Sequence, residues 1–457
     1  MGITVDYRRM IPPLDEAVVF SWRARVRAVH DELSARRKAG SLPFYDLPRQ
    51  DVSAIEAYAS RKKGSFTTLV VLGIGGSALG LLSLNAALRT PFPALEPAPR
   101  LVVLDNIDPV RVASWLDALD PRETLLNVIT KSGDTAETMS CFLVLREWFT
   151  RALGAKGAAE RIVVTTDRKK GALRAIADEA GLASFDVPDG VGGRFSVLTP
   201  VGLLPAALLG MDIRGLLAGA LAMDRRLGSA ELAENPAYLG AVLHRVAYGE
   251  GRRISVMVAY SDQLYLLADW YRQLWAESLG KRFALDGSVA AVGPTPVKAL
   301  GVTDQHSQVQ LYKEGPDDKV YTFLRVEGFS RTVAIPPAGK GLDAISYLGG
   351  HTLNELLAAE CRATEAALCR AGRPVTRILF PSVTPQNVGE YYHLLEVTTV
   401  AAGALFGIDP LDQPGVEAGK QYAYGLMGRP GYEEKRRELE SEAPGDPRLA
   451  FPAAETS

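Results

Sequence analysis

LLNVITKSGDTAETMS, residues 125–140, changes character twice. Leu125 to Ile129 is apolar and β-rich. Thr130 to Thr135 is small and polar, with hydroxyls, one cation and free backbone amides. From Ala136 apolar positions recur at helical spacing. A buried strand that ends in a polar tip and runs on into a helix is the repeating unit of a parallel sheet with crossover helices. The unit recurs on both sides. TTLVVLGIGG (67–76) precedes a helical pattern over Ala78–Leu88, RLVVLDNID (100–108) precedes one over Val110–Leu119, and RIVVTTD (161–167) follows the helix predicted over Ala136–Leu153. The cycle restarts at RRISVMVAYSDQ (252–263), with a helix to about Leu279. KVYTFLRVE (319–327) and TRILFPSV (376–383) are further strands. A long helix is expected over Asn387–Phe406 and another after Gln413. Helical patterns also cover residues 14–37 and join the two α/β units near Met211–Glu250.

Composition narrows the class. The chain has 457 residues, 47% apolar and 23% charged, which suits a globular protein of more than one domain. A net charge of −2 gives no overall field for nucleic acid or an acidic membrane. Three scattered cysteines, Cys141, Cys361 and Cys369, read as thiols of a reducing compartment. The N-terminus lacks the apolar core of a signal peptide, and Asp6 stands where myristoylation needs Ser or Thr. The longest apolar candidate, Val201–Met211, is short for a membrane span and contains a proline. The expectation is a cytoplasmic protein with no membrane and no nucleic-acid partner.

In such sheets ligands gather beyond the carboxyl ends of the strands. GIGGSALG (73–80) is one such tip. Gly73, Gly75 and Ala78 with Asp105 imitate a dinucleotide fingerprint. The same glycines also suit a tight approach to a smaller anion, with Ser77 supplying a hydroxyl, or close packing alone. At the second tip, Asp134 is expected to cap the following helix, with Glu137 as its capping-box partner. Thr130, Ser132, Thr135 and Lys131 then make an anion pocket without the Walker spacing, better matched to a terminal sugar phosphate than to ATP. The alternative is an ordinary Ser/Thr-rich turn.

GVGGRFSVLTPVG (190–202) sets Arg194 directly after two glycines, as a salt-bridged structural residue or as a stabiliser of developing negative charge. QLWAESLGK (273–281) places Glu277 among Leu274, Trp275 and Leu279. Those apolar neighbours would favour a general base; a pair with Lys281 is the ordinary alternative. His306 lies in the polar stretch TDQHSQVQ (303–310), where a structural or solvated histidine is equally ordinary. In DQPGVEAGK (412–420), Gln413 and Lys420 would share a face if a helix begins near Gln413. Glu390, His393 and Glu396 form one Glu-x-x-His-x-x-Glu motif. A dinuclear carboxylate site needs two such motifs, so no metal is expected.

Taken in order, GIGGS, TKSGDTAET, DGVGGRFSVLTPVG, QLWAESLGK, TDQHSQVQ and DQPGVEAGK resemble the glucose-6-phosphate isomerase (phosphoglucose isomerase) family, of the shorter bacterial type. The resemblance spans about residues 70–430 and is most specific at Gly-Gly-Arg-Phe-Ser and Asp-Gln-x-Gly-Val-Glu-x-x-Lys. It implies an α/β fold of two doubly wound parallel-sheet sugar-isomerase (SIS-type) domains, 61–215 and 216–430. A helical N-terminal segment, 1–60, and a C-terminal tail, 431–457, partly disordered after Lys435, would flank them.

The implied activity is the reversible aldose–ketose isomerisation of glucose 6-phosphate and fructose 6-phosphate, without a cofactor, in glycolysis and gluconeogenesis. By the same resemblance Ser77, Thr130, Lys131, Ser132 and Thr135 match phosphate-binding positions. Glu277 matches the catalytic base, and Arg194 the arginine beside the enediolate. His306 matches the ring-opening histidine, which crosses a homodimer interface, with Lys420 assisting it. Gly76, Gly193, Gln273, Gln413 and Glu137 match other positions around the sugar. Two residues depart from the family: Leu411 replaces the usual aromatic residue, and Asp134 replaces a Thr found in many bacterial members. That carboxylate is expected to turn away from the phosphate.

Overall fold

A computed structural model describes residues 1–90, 92, 99–442, 445, 446, 449 and 450. Met1–Pro410 form one compact unit and Leu411–Ser457 a second, smaller one.

The segment 1–60, read as helical from its sequence, opens instead on a strand, β1 (Thr4–Arg9), before α1 (Glu16–Ser21), α2 (Arg23–Lys38) and α3 (Ser53–Lys62). Periodicity did not reveal β1 because its pairing partner is remote: it adds antiparallel to a strand that begins at Val375.

The first sheet is built from β2 (Thr68–Leu72), α4 (Gly76–Leu88), β3 (Arg100–Leu104), α5 (Pro109–Ala118), β4 (Thr124–Thr130), α6 (Ala136–Glu160), β5 (Ile162–Thr166), α7 (Ala172–Ala180) and β6 (Ala183–Asp186). Its strands are parallel in the order β3-β2-β4-β5-β6. Every residue of β2, β4 and β5 is buried, so these strands read as continuous apolar runs rather than alternating ones. Val70, Leu72, Leu126, Val128 and Val164 pack with Phe142, Leu145 and Phe149 of α6 in one core. Each fully buried side chain of this kind contributes about 1.5–3 kcal/mol. The regular path of α6 breaks at Gly154 (φ 71°, ψ 170°), next to the end predicted at Leu153.

Three helices connect the sheets: α8 (Pro200–Leu208), α9 (Ile213–Arg226) and α10 (Pro236–Gly249). The second sheet follows with β7 (Ile254–Tyr260), α11 (Asp262–Leu279), a hairpin of β8 (Lys281–Phe283) and β9 (Val289–Val292), β10 (Thr295–Leu300), α12 (Val309–Glu314), β11 (Lys319–Val326), α13 (Leu353–Arg370), β12 (Val375–Phe380) and α14 (Pro385–Phe406). The strand order is β1-β12-β11-β7-β10, parallel except for β1 at the edge. In both sheets the first parallel strand has its successor on one side and the third strand on the other. The first sheet therefore reverses winding direction between β2 and β4, and the second between β7 and β11. Such switch points open a crevice at the carboxyl ends of the strands.

The smaller unit carries α15 (Glu417–Leu426) and α16 (Glu433–Glu440). The tail expected to be disordered thus begins as a helix. Its residues 443, 444, 447, 448 and 451–457 lie outside the described residues. Among the described residues no helix is long and apolar enough to cross a membrane.

Candidate active site

The switch point of the first sheet lies between the tips of β2 and β4, where the sequence places its two polar loops. The helices that leave these tips have unusual starts. The N-cap of α4 is Gly75 (φ 57°), and that of α6 is Thr135; neither makes a side-chain cap hydrogen bond. Their first-turn amides lie at the positive end of each helix dipole and have no side-chain acceptor from the cap residue.

Three hydroxyls gather beside α6. Thr130 Oγ1 and Thr135 Oγ1 lie 2.8 Å apart, and Ser132 Oγ is 3.4 Å from each. Ser77 stands in the first turn of α4 and Glu137 in that of α6, both half-buried. The capping box predicted for Asp134 and Glu137 is absent. Asp134 Oδ1 instead accepts from the Ala172 amide, 3.0 Å away at the start of α7. That is possible because Gly133 and Gly171 touch: a Cβ on Gly133 would lie 2.8 Å from the Gly171 Cα. The carboxylate is held at a neighbouring helix start, and Ser132 Oγ accepts from the Asp134 amide. Lys131 Nζ donates to the Val191 carbonyl at 2.7 Å, so one donor of the ammonium ties the tip of β4 to the glycine loop.

That loop closes over α4. A Cβ on Gly76 would fall 2.1 Å from the Gly193 carbonyl oxygen, so only glycine permits the approach. The dinucleotide reading loses the acidic partner it needs: Asp105 is paired with Arg111 at 2.8 Å.

Arg194 follows directly and is 3% exposed. Its Nε donates to Ser278 Oγ at 2.7 Å, its Nη2 to the Pro410 carbonyl at 2.5 Å, and its Nη1 to Glu277 Oε2 at 3.3 Å. Gln273, one turn earlier on α11, donates from Nε2 to Glu277 Oε1 at 3.2 Å. Gln273 also lies against the α4 turn, since its Nε2 would be 2.9 Å from a Cβ on Gly75. The two sheets therefore meet where the start of α4 faces the end of α11.

The apolar setting expected for Glu277 is not found. Leu274, Trp275 and Leu279 turn into the core, while the Glu277 side chain is 34% exposed between an amide and a guanidinium. Nor does Lys281 pair with that carboxylate: its Nζ donates to the Glu277 backbone carbonyl at 2.6 Å. Sequence reasoning missed Ser278 and the Pro410 carbonyl. No local signal marks them, because both act on a residue far away in the chain.

His306 is exposed at the end of a short 3-10 turn, Thr303–His306. Its neighbours are tied inward. Gln305 accepts from Tyr260 Oη (2.6 Å) and donates to Glu360 (2.9 Å), while Asp304 accepts from the Leu300 amide and from Ser307 Oγ, both at 2.7 Å. Burial opposes ionisation of Asp304, but the hydrogen bonds from Ser307, the Leu300 amide and Gln308 outweigh it and hold its carboxyl below the usual range. In the smaller unit, Gln413 precedes a 3-10 turn (Pro414–Val416), and α15 starts only at Glu417, so Gln413 and Lys420 are not two turns apart on one regular helix. Lys420 Nζ donates to Glu417 at 2.8 Å.

The Glu390, His393 and Glu396 motif is buried in α14. Glu390 accepts from the Ile3 amide at 2.5 Å, His393 Nε2 lies 3.3 Å from Asp224, and Glu396 is fully enclosed. Among the described residues no group of three His, Cys, Asp or Glu is placed to hold a metal ion.

The chain was compared with known proteins. The chain is 46% identical over 453 residues to the glucose-6-phosphate isomerase of Carboxydothermus hydrogenoformans, covering 96% of this chain and 97% of that one. It is 49% identical over 417 residues to the glucose-6-phosphate isomerase of Rubrobacter xylanophilus, covering 88% and 94%. Its fold matches the crystal structure of a hypothetical protein from Thermus thermophilus with a TM-score of 0.86 and 38% identity, over 93% of this chain and all of that one. The family profile of phosphoglucose isomerase matches residues 51–324 and 352–444, which take in both polar strand tips, the Gly-Gly-Arg loop and the end of α11. By sequence and by fold, the chain belongs to the phosphoglucose isomerase family.

Proposed function

We infer that the chain interconverts glucose 6-phosphate and fructose 6-phosphate, with Glu277 as the base that moves the proton. The observation that carries this reading is the Glu277–Arg194 pair, 3.3 Å apart, at the mouth of a crevice whose helix starts lack side-chain caps. The phosphate, which does not react, binds at the α6 start between Thr130, Ser132, Thr135 and Ser77, where hydroxyls and amides donate to it. Tethered there, the sugar presents its C1–C2 end toward α11, and the binding energy of the phosphate is used to orient the reacting carbons.

In the open-chain aldose, Glu277 takes the proton from C2. The C–H electron pair forms the C1–C2 double bond, and the carbonyl pair moves to O1. The negative charge at O1 of the enediol(ate) is met by the Arg194 guanidinium. Glu277 then returns its proton to C1, O1 is protonated, and the O2 hydroxyl loses its proton as the C2 carbonyl forms. The carbons exchange oxidation level with each other, so the step needs no external redox partner. Gln273 holds the carboxylate from its other side. Gly76 and Gly193 let the start of α4 and the loop that carries Arg194 approach closely enough for these distances.

Ring opening comes first. His306, with Lys420, is assigned it by resemblance, as Gln413 and Glu137 are assigned contacts with the sugar. His306 projects from a turn whose neighbouring polar side chains, Asp304 and Gln305, are bound inward, which suits delivery to the site of a second subunit in a homodimer. Exposed Phe283, Leu285 and Val289 on the β8–β9 hairpin, and Leu311 just beyond His306, offer apolar surface for such a contact. The same reading sets domains at 61–215 and 216–430, and places the protein in the cytoplasm.

Incubation with fructose 6-phosphate in deuterated water, with no cofactor or metal added, tests the reaction. Aldose carrying deuterium at C2 is the expected product. Failure to form aldose refutes the activity, whereas direct hydride transfer would give aldose with no solvent deuterium.

A further inference from the structure

Arg194 is a buried cation, and a buried guanidinium needs acceptors for its donors. The nature of these acceptors decides what it can do. Its Nε is taken by the Ser278 hydroxyl at 2.7 Å and its Nη2 by the Pro410 carbonyl at 2.5 Å. Both of these acceptors are neutral, and the two bonds fix the plane of the guanidinium. The Nη1 edge faces Glu277. Ser278 is fully buried and adjoins Glu277 on the last turn of α11. The base and the anchor of the arginine therefore belong to one turn of helix. Any movement of that turn carries both.

We propose that Ser278 is a positioning residue for catalysis: through its hydroxyl it registers the Arg194 guanidinium against Glu277, so that the charge lies where the enediolate oxygen develops. This rests on the reading of Arg194 as the stabiliser of that oxygen. The prediction is specific to the transition state. A misaimed guanidinium weakens its grip on developing charge, while the phosphate, held at α6, binds as before.

Kinetics of Ser278→Ala, Arg194→Ala and the double variant test it. Ser278→Ala should lower kcat about tenfold with KM within about twofold, and weaken binding of a planar hydroxamate sugar-acid phosphate, an enediolate mimic, by a similar factor. Binding of inorganic phosphate should not change. In the Arg194→Ala background the same serine change should cost less than about twofold, since an anchor has no effect once its arginine is gone. An unchanged kcat in Ser278→Ala, or an undiminished loss in the double variant, overturns the proposal. Full activity in Arg194→Ala instead overturns the reading beneath it. Should Ser278→Ala lose phosphate binding, Ser278→Cys decides, because a thiol keeps the volume but accepts poorly: a lower kcat with intact phosphate binding supports the proposal, and an unchanged kcat sinks it.

Discussion

The two sheets share a winding order and differ at their helix starts. In the first sheet, α4 and α6 leave the switch point from Gly75 and Thr135, with no side-chain cap. In the second, Ser261 accepts from the Gln263 amide at the start of α11, Thr384 caps α14, and Thr352 closes α13 with a full capping box. At these helices the caps of the second sheet satisfy amides for which the N-cap residues of α4 and α6 offer no side-chain acceptor. Two halves of similar topology thus take different work. The first offers an anion-binding rim, and the second contributes the carboxyl end of α11, where Glu277 sits. Helix starts favour anions and helix ends do not, and the proposed phosphate site and the proposed base lie at opposite ends of their helices.

Changing the second sheet's contribution should have the largest effect. Glu277→Gln keeps the side-chain volume and one of the two bonds accepted from Gln273 and Arg194, but cannot accept a proton. It should lower kcat about a thousandfold, while inorganic phosphate binding, measured by calorimetry, stays within about twofold of the original. Loss of phosphate binding in parallel would mean that the halves are not separable in this way.

A middle-sized effect should follow from changing the first sheet's rim. Ser132→Ala combined with Thr135→Val removes two hydroxyl donors. It should raise KM for the sugar phosphate about tenfold and leave kcat nearly unchanged, as expected for lost uniform binding. The matching change in the second sheet, Ser261→Ala, should leave KM alone and cost only ~1 kcal/mol of stability. Steady-state kinetics and thermal melts separate the two; a KM effect from Ser261→Ala would break the contrast.

The smallest effect concerns α14, which the crevice does not use. Glu396 is fully buried, and burial pushes its carboxyl well above the usual range. It is therefore protonated in the fold and ionised when unfolded at neutral pH. The folded state binds the extra proton, so this group's contribution is intact below about pH 4.5, the unfolded value, and is lost as pH rises. Glu396→Met should raise the melting temperature at pH 8 and raise it less at pH 5. Equal shifts at both pH values would show that the carboxyl is not neutral in the fold.

What could be read directly from the residues was local. Strand, polar tip and helix can be recognised from LLNVITKSGDTAETMS because burial on both faces and the start of a helix are decided within a few residues. The break of α6 at Gly154 and the hydroxyl cluster follow the same logic. The capping box failed because Asp134 had a competing partner across the Gly133–Gly171 contact. The bond from Lys131 to Val191 could not be read from the residues, because Val191 lies within its reach only in the fold. β1 escaped notice because its partner strand is at the other end of the unit.

The chain's own residues determined the α/β class, the positions of the strand tips and the kinds of groups that gather there, since these depend on hydrophobic period and turn chemistry alone. Tertiary structure decided which of those groups meet. Arg194 is anchored by a serine 84 residues away and a carbonyl 216 residues away, and Gly76 faces Gly193 across the gap between two loops. Such contacts are made by the packing of whole sheets and helices, whose register depends on the entire core and leaves no trace in a short window of sequence.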